Sequence, residues 1–201
     1  MYVPQHFSVE DRCLLDGVIR DNPFGLLAGA VDGAPFATHL PFLLDGERLL
    51  GHFARGNPHC KAIDGKTEML AVFSGPHAYV SPRWYEPGPA VPTWNYVAVH
   101  VYGAPRIVAD VAAVRALLDR LVAEYEAGAW TLDGQDDDFT ERMMRGIVAF
   151  EMPVARIEGK FKLSQNRSAE DRRSVAEELG KLPDGMSAGV ARFMQRLEEP
   201  E

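Results

Sequence analysis

Two Asp-Gly pairs, Asp32-Gly33 and Asp45-Gly46, separate three short apolar runs in the first quarter of this 201-residue chain. Asp-Gly tolerates the positive φ angles of the tight turns that join antiparallel strands, so such a pair between apolar runs is a strong local hairpin signal. Residues 24–31, 36–44 and 48–54 therefore read as a three-stranded antiparallel meander. A further strand is expected over 68–74, interrupted at Gly75-Pro76 and continued by 77–80. Others are expected over 93–102, with 107–108 as an extension, and over 150–157. Strands of this number and spacing, with turn residues between them, favour a small barrel.

Helices punctuate the strands. Ser8 reads as an N-cap followed by the acids Glu10 and Asp11. Cys13, Leu14, Val18 and Ile19 then fall near helical spacing, which makes Cys13 a buried residue, and Asn22-Pro23 ends the segment. Asn57-Pro58 opens a short helical or turn segment. Asp110 caps a helix whose Val111, Val114, Leu117, Leu118, Leu121, Val122 and Tyr125 form one apolar stripe, with Gly128 as its stop. Asp136-Asp137-Asp138 caps a second helix. Ser168 with Asp171 resembles a capping box in which Asp replaces Glu. A last helix carries Val190, Phe193, Met194 and Leu197. The expected fold is mainly β with peripheral and C-terminal helices: residues 1–160 as a barrel domain, and 161–201 as a helical extension packed on it.

Charge and motif content narrow the function. The 29 acids outnumber the 21 Lys and Arg, for a net charge of −8. That field opposes nucleic acid and favours solubility. Two cysteines suggest no disulfide framework. No secretory signal and no apolar stretch of membrane-spanning length is visible, so the cytoplasm is the expected compartment and no membrane partner is expected. The Gly-rich nucleotide fingerprints, the nucleophile elbow and the H-E-x-x-H motif are absent. His6, His39, His52, His59, His77 and His100 match no standard zinc spacing, so no metal is assigned.

Four segments carry unusual polar content. Residues 51–58 end a strand in Arg55 and turn at Asn57-Pro58; one Arg beside free backbone N–H groups suits a phosphate, although a plain surface turn reads the same way. Residues 75–85 alternate aromatics with small polar residues, giving either a stacking face for a planar ligand or aromatic plugs at a barrel rim. In Val91-Pro92-Thr93-Trp94-Asn95-Tyr96, Asn95 lies among apolar neighbours and needs a partner. Between residues 160 and 173, five basic residues face two acidic ones, a local net of +3 in an acidic chain. This patch suits a bound anion, a nucleic-acid contact, or solvent alone.

In this order and spacing, these segments resemble the PaiB family of FMN-binding negative transcriptional regulators over nearly the whole chain. The matching stretches are Met1-Tyr2-Val3-Pro4 with Phe7, Ala37-Thr38-His39-Leu40-Pro41, and Gly51-His52 with Ala54-Arg55 and Asn57-Pro58. They continue with Ala71-Val72-Phe73, the run from Gly75 to Pro82 with Trp84-Tyr85, the run from Val91 to Tyr96 with Val99-His100, and Gly159-Lys160-Phe161-Lys162-Leu163-Ser164-Gln165-Asn166-Arg167. The resemblance implies an FMN-binding split β-barrel related to pyridoxamine-phosphate oxidase, working as a homodimer with flavin at the subunit interface. It implies Arg55 and Asn57 near the phosphate and ribityl chain, and Tyr79, Ser81, Thr93, Trp94 and Asn95 near the flavin. It also implies Lys162, Gln165 and Arg167 at an anionic end.

Three functions stay open on the sequence. One is an FMN-binding regulator that senses flavin redox state. Another is an FMN-dependent oxidoreductase of the flavin reductase or oxidase kind, in which the cofactor carries the chemistry. The third is a haem-binding split barrel using one of the histidines. No helix is plainly basic on one face, so DNA binding is not supported by charge.

Overall fold

A computed structural model describes residues 1–197. In chain order the elements are β1 (Ser8–Val9), α1 (Arg12–Asp21), β2 (Phe24–Val31), β3 (Ala34–Pro41), β4 (Leu43–Asp45), β5 (Arg48–Ala54), β6 (Met69–Val80), β7 (Thr93–Gly103), β8 (Arg106–Ile107), α2 (Val111–Glu126), α3 (Asp137–Arg145), β9 (Ile147–Pro153), β10 (Arg156–Lys162), α4 (Ala169–Gly180) and α5 (Gly185–Arg196). The strands form a six-stranded sheet in the order β1-β10-β7-β6-β2-β3 and a four-stranded sheet in the order β4-β5-β9-β8.

The expectation of a mainly β split barrel is corrected here: the fold is mixed α/β with two sheets, and neither closes. A barrel needs its first and last strands to share a ladder. The six-stranded sheet ends in β1, which has two residues, and the four-stranded sheet ends in β4 and β8, with three and two. Such short edges offer too few backbone groups to zip a sheet shut. Five helices also occupy chain length comparable to the strands.

The chain divides into two compact units. One comprises Pro23–Val72 and Val101–Ile157. The Asp-Gly turns form here as expected: Asp32 and Gly33 both take positive φ, and β2 pairs with β3 from Phe24↔Pro41 to Val31↔Ala34. The meander does not form, because the expected strand over 36–44 breaks. Pro41 has no N–H for a ladder, and the next N–H, on Phe42, donates to the Pro23 carbonyl at 2.8 Å. Phe42 is buried edge-on against Phe150. The chain therefore leaves one sheet at β3 and starts the second at β4, giving two separate hairpins. Likewise β8 pairs with β9 instead of prolonging β7, and the expected strand over 150–157 is shared between β9 and β10 in different sheets. The Asp110 side chain caps α2 by accepting from the Ala113 N–H, and Leu117 and Leu121 bury against Leu50 and Ala149.

The other unit comprises Met1–Asn22, Phe73–His100 and the described residues from Glu158 onward. Ser8 is not a helix cap; Ser8 and Val9 pair with Lys160 and Gly159 in β1. Asp11 caps α1 instead, accepting from the N–H groups of Cys13 and Leu14. The helix buries Leu15, Val18 and Ile19 and leaves Cys13 exposed, contrary to expectation. Strand β6 runs unbroken through Gly75-Pro76, but its buried side changes there, from Met69, Ala71 and Phe73 to Ala78 and Val80. Ser168 caps α4 through the Asp171 N–H at 3.1 Å. The box is not reciprocal: the Asp171 carboxylate accepts from the Glu86 N–H at 2.8 Å and ties down the loop after β6. Helices α4 and α5 pack through Val175, Ala176, Leu179, Val190 and Met194. No helix among the described residues is long and apolar enough to cross a membrane.

A Cβ on Gly103 would stand 2.0 Å from the Pro153 carbonyl oxygen. Gly103→Ala is therefore expected to destabilise the fold by about 2–3 kcal/mol in urea unfolding, the usual cost of overpacking against backbone. An unchanged midpoint would show that the two strands separate freely at this point.

Candidate functional site

The candidate site lies on one side of β6, β7 and β10, within the unit that begins at Met1. Strand alternation builds it. Along β7, Asn95, Val97 and Val99 are buried, which turns Trp94, Tyr96, Ala98 and His100 to the other face. Along β10, Gly159 and Phe161 are buried in the same phase, so Glu158, Lys160 and Lys162 share a face. The result is a face of aromatic rings with two lysines, of which Lys160 is buried and Lys162 half-buried.

Lys162 organises it. Its Nζ donates to Thr93 Oγ1 and to the Trp94 carbonyl, each at 2.6 Å, and lies 5.9 Å from the Phe7 ring centre. Burial, and then the neighbouring charge of Lys160, pull the Lys162 pKa below its ordinary value. Lys160 is 9% exposed; its Nζ donates to the Tyr2 carbonyl at 3.1 Å and sits 5.5 Å and 5.3 Å from the Tyr2 and Tyr96 ring centres. Trp94 and Tyr79 are 54% and 47% exposed and meet edge to face at 6.1 Å. Beside them Ser74, His77, Trp94 and Tyr96 help line a cavity of about 360 Å³.

Of the remaining expected residues of this unit, Asn95 and Ser81 are buried, and Gln165 and Arg167 are partly exposed. Asn95 is fully buried, and its Nδ2 donates to Ser164 Oγ at 3.0 Å with Met194 Sδ at 3.6 Å. Ser164 sits at φ 66°, in the left-handed region, so this buried bond holds a turn that a non-glycine residue takes at a cost. Gln165 follows, accepting from the Leu163 N–H at 2.7 Å and donating to the Phe161 carbonyl at 2.5 Å. Arg167 places its guanidinium 4.3 Å over the Tyr85 ring. Ser81 is buried and accepts from the Arg83 backbone N–H at 3.3 Å, capping the 3₁₀ turn Pro82–Trp84.

Arg55 and Asn57 belong to the other unit. Arg55 Nε and Nη2 donate to the carbonyls of Arg145 and Ile147, at 2.6 and 2.8 Å, beside a cavity of about 670 Å³ that Val111, Met144 and Ile147 help line. Asn57 caps the 3₁₀ turn Pro58–Ala62: its Oδ1 accepts from the His59 N–H at 2.9 Å, while its Nδ2 donates to Thr38 Oγ1 at 3.1 Å. Thr38 Oγ1 in turn lies 3.0 Å from His59 Nδ1. His59 is fully buried between the rings of Phe36 and Phe53, and burial lowers its pKa.

Structure thus joins Thr93, Trp94 and Lys162 by direct bonds, sets Tyr79 against Trp94, and links Asn95 through Ser164 to the loop of Gln165 and Arg167. Sequence reasoning missed Lys160, Tyr96 and Ser164. The i, i+2 spacing of Lys160 and Lys162 in a strand was the available signal for the first of these; nothing local announces the left-handed turn at Ser164.

Comparison with known proteins places the chain in a family. A family model described as "Putative FMN-binding domain" matches residues 1–156. The chain is similar to Protease synthase and sporulation protein PAI 2 of Bacillus subtilis, at 32% identity over 97% of both chains. It is also similar to an uncharacterised protein of Aspergillus fumigatus, at 30% identity over 90% of this chain and 92% of that one. Among solved structures, the flavocytochrome Anf3 of Azotobacter vinelandii shares the fold at a TM-score of 0.69 and 17% identity, covering 85% of this chain and 77% of that one.

Asn95→Leu should cost about 1–3 kcal/mol of stability by stranding the Ser164 hydroxyl, as read by thermal or urea unfolding; an unchanged protein would mean that Ser164 finds another partner. The histidines give a pH dependence. Folded His59, His52 and His100 all hold their protons less tightly than the ordinary value of 6.5 because burial disfavours the charge. Below that pH the unfolded chain takes up more protons than the folded one, so stability falls as pH drops. His59→Gln should flatten part of that slope; an unaltered slope would assign the effect to His52 and His100.

Proposed function

We propose, from the premise that the chain belongs to the family described as "Putative FMN-binding domain", that it binds flavin mononucleotide on the aromatic and cationic face of β6, β7 and β10. The observation that carries this reading is the pairing of two half-exposed rings, Trp94 and Tyr79, with the ammonium of Lys162 anchored one residue away at Thr93. A flavin is planar, apolar across its rings and anionic at its phosphate. Exposed rings beside a cation with no carboxylate partner among the described residues suit such a molecule. Bound FMN would supply redox chemistry.

The chain's own residues then divide the work. Trp94 and Tyr79 offer ring faces and edges. Lys162 offers the ammonium N–H that Thr93 and the Trp94 carbonyl leave unused. Asn95, Gln165 and Ser81 hold the backbone that presents these groups. Arg167, stacked on Tyr85, adds a second cation beyond the loop.

The proposal extends to a homodimer, in which a second copy would cover this open face. It also extends to a regulatory role, for which the support is the resemblance to PaiB-type regulators and the B. subtilis relative named for protease synthase and sporulation. Net charge weighs against direct grip on a phosphate backbone. The two unpaired cysteines fit a reducing compartment such as the cytoplasm.

Titration with FMN should quench flavin or tryptophan fluorescence saturably at one flavin per chain. Trp94→Leu should weaken binding by about two- to tenfold, the range of a single aromatic stacking contact. Folded protein with no saturable change would remove the flavin reading.

A further inference from the structure

A cavity of about 470 Å³ lies among α5, Asn22 at the end of α1, and Pro76 of β6. All of its walls belong to one compact unit. Pro76, Met186 and Phe193 give it apolar sides, while Arg192 and Arg196 line it one helical turn apart. Among the described residues, neither guanidinium takes part in a hydrogen bond or an ion pair. Asp21 also lines the cavity and pairs with neither of them. Two arginines less one aspartate leave the lining with a net charge of +1 beside apolar walls. Two glycines of α5 shape the space. A Cβ on Gly185, the first residue of the helix, would meet nothing within 4 Å, so the cavity is open there. A Cβ on Gly189 would stand 2.7 Å from Pro76 Cβ, so the bare glycine lets α5 lie close on the strand that carries Tyr79. The helix also reaches the other two strands of the candidate flavin face. Phe193 meets Phe161 of β10 edge to face at 5.5 Å, and Met194 Sδ lies 3.6 Å from Asn95 Nδ2 of β7.

We propose that this cavity is an effector site for a small organic carboxylate with an apolar body, of the arylalkanoate kind, held by Arg192 and Arg196. A guanidinium donates a pair of parallel N–H bonds to a carboxylate, and both guanidinium groups have their donors unspent. The apolar body displaces water from Pro76, Met186 and Phe193. A monoanion matches the net charge of the lining. Small anions without an apolar body gain nothing from those walls. An occupant touching Phe193 and Pro76 bears on α5 and β6 together, and through Phe161 and Asn95 on β10 and β7. Occupancy therefore alters flavin affinity, a coupling that rests on the flavin reading, whereas the site itself does not.

The test is calorimetric titration of the full chain with 3-phenylpropionate, using 3-phenylpropanol and acetate as controls that lack the charge or the apolar body. The probe should bind saturably at one per chain, and neither control should. Arg192→Gln and Arg196→Gln should each weaken binding at least about tenfold, as expected for a lost charged hydrogen bond. Gly185→Leu fills the open space and should abolish binding in a folded protein. Lys162→Met should leave probe binding intact, because the flavin face is elsewhere. Saturating probe should change FMN affinity by about fivefold, and FMN should change probe affinity by the same factor, as linkage requires. No saturable binding, or binding that survives the arginine variants and Gly185→Leu, would overturn the site. Probe that binds through Arg192 and leaves FMN affinity unchanged would overturn the effector role. If FMN does not bind at all while the probe still binds through Arg192, the site stands and the flavin reading falls.

Discussion

A buried amide must find a partner, and much of the candidate site follows from the one that Asn95 finds. Its side chain is shut away from water and bonds to Ser164, the residue that takes a left-handed turn just after β10. That turn redirects the chain from strand into the loop of Gln165 and Arg167, and Ser168 then starts α4. The helix returns the favour through Asp171 and Ser174, which bond the backbone of Glu86 and Trp84 and tether the loop after β6. The exposed rings and the two lysines stand on strands and loops braced by these polar ties. Low local dielectric makes each tie strong while it is made and costly when broken.

Polar side chains of this unit spend their hydrogen bonds in different ways. Asn95 spends its hydrogen-bonding capacity inward. Lys162, one strand away, spends two donors on its neighbours and keeps one. Arg55 resembles Lys162 in this respect: two of its nitrogens donate to the carbonyls of Arg145 and Ile147, which braces the four-stranded sheet's unit, and three of its five N–H groups remain.

Local chemistry was legible wherever it acts within a few residues. Asp32-Gly33 makes its turn, Asp110, Asp136 and Ser168 cap their helices, and Asn57 opens its 3₁₀ turn. The misreadings concern partners far away in sequence. Ser8 has the chemistry of a cap, but Lys160 offers it a ladder. The run over 36–44 has the pattern of one strand, but Pro41 and the pull of Phe42 toward Phe150 divide it between two sheets. The barrel expectation failed for the same reason: strand count and spacing carry no information about which edges pair. Of the expected site, Tyr79, Thr93, Trp94 and Lys162 come together, while the burial of Asn95 and Ser81 depends on packing that no local pattern reports.

By itself, the amino-acid sequence determined the turns, the caps, the alternation that sorts β7 and β10 into buried and outward sides, and the motif order that marks the family. These are short-range properties, set by backbone sterics and by side chains acting on their own neighbours. Tertiary structure alone decided that two open sheets form, that Asn95 meets Ser164 across 69 residues, and that Lys160 is buried with no carboxylate partner among the described residues. Those outcomes depend on which distant surfaces exclude water together, and that is a property of the whole packed chain.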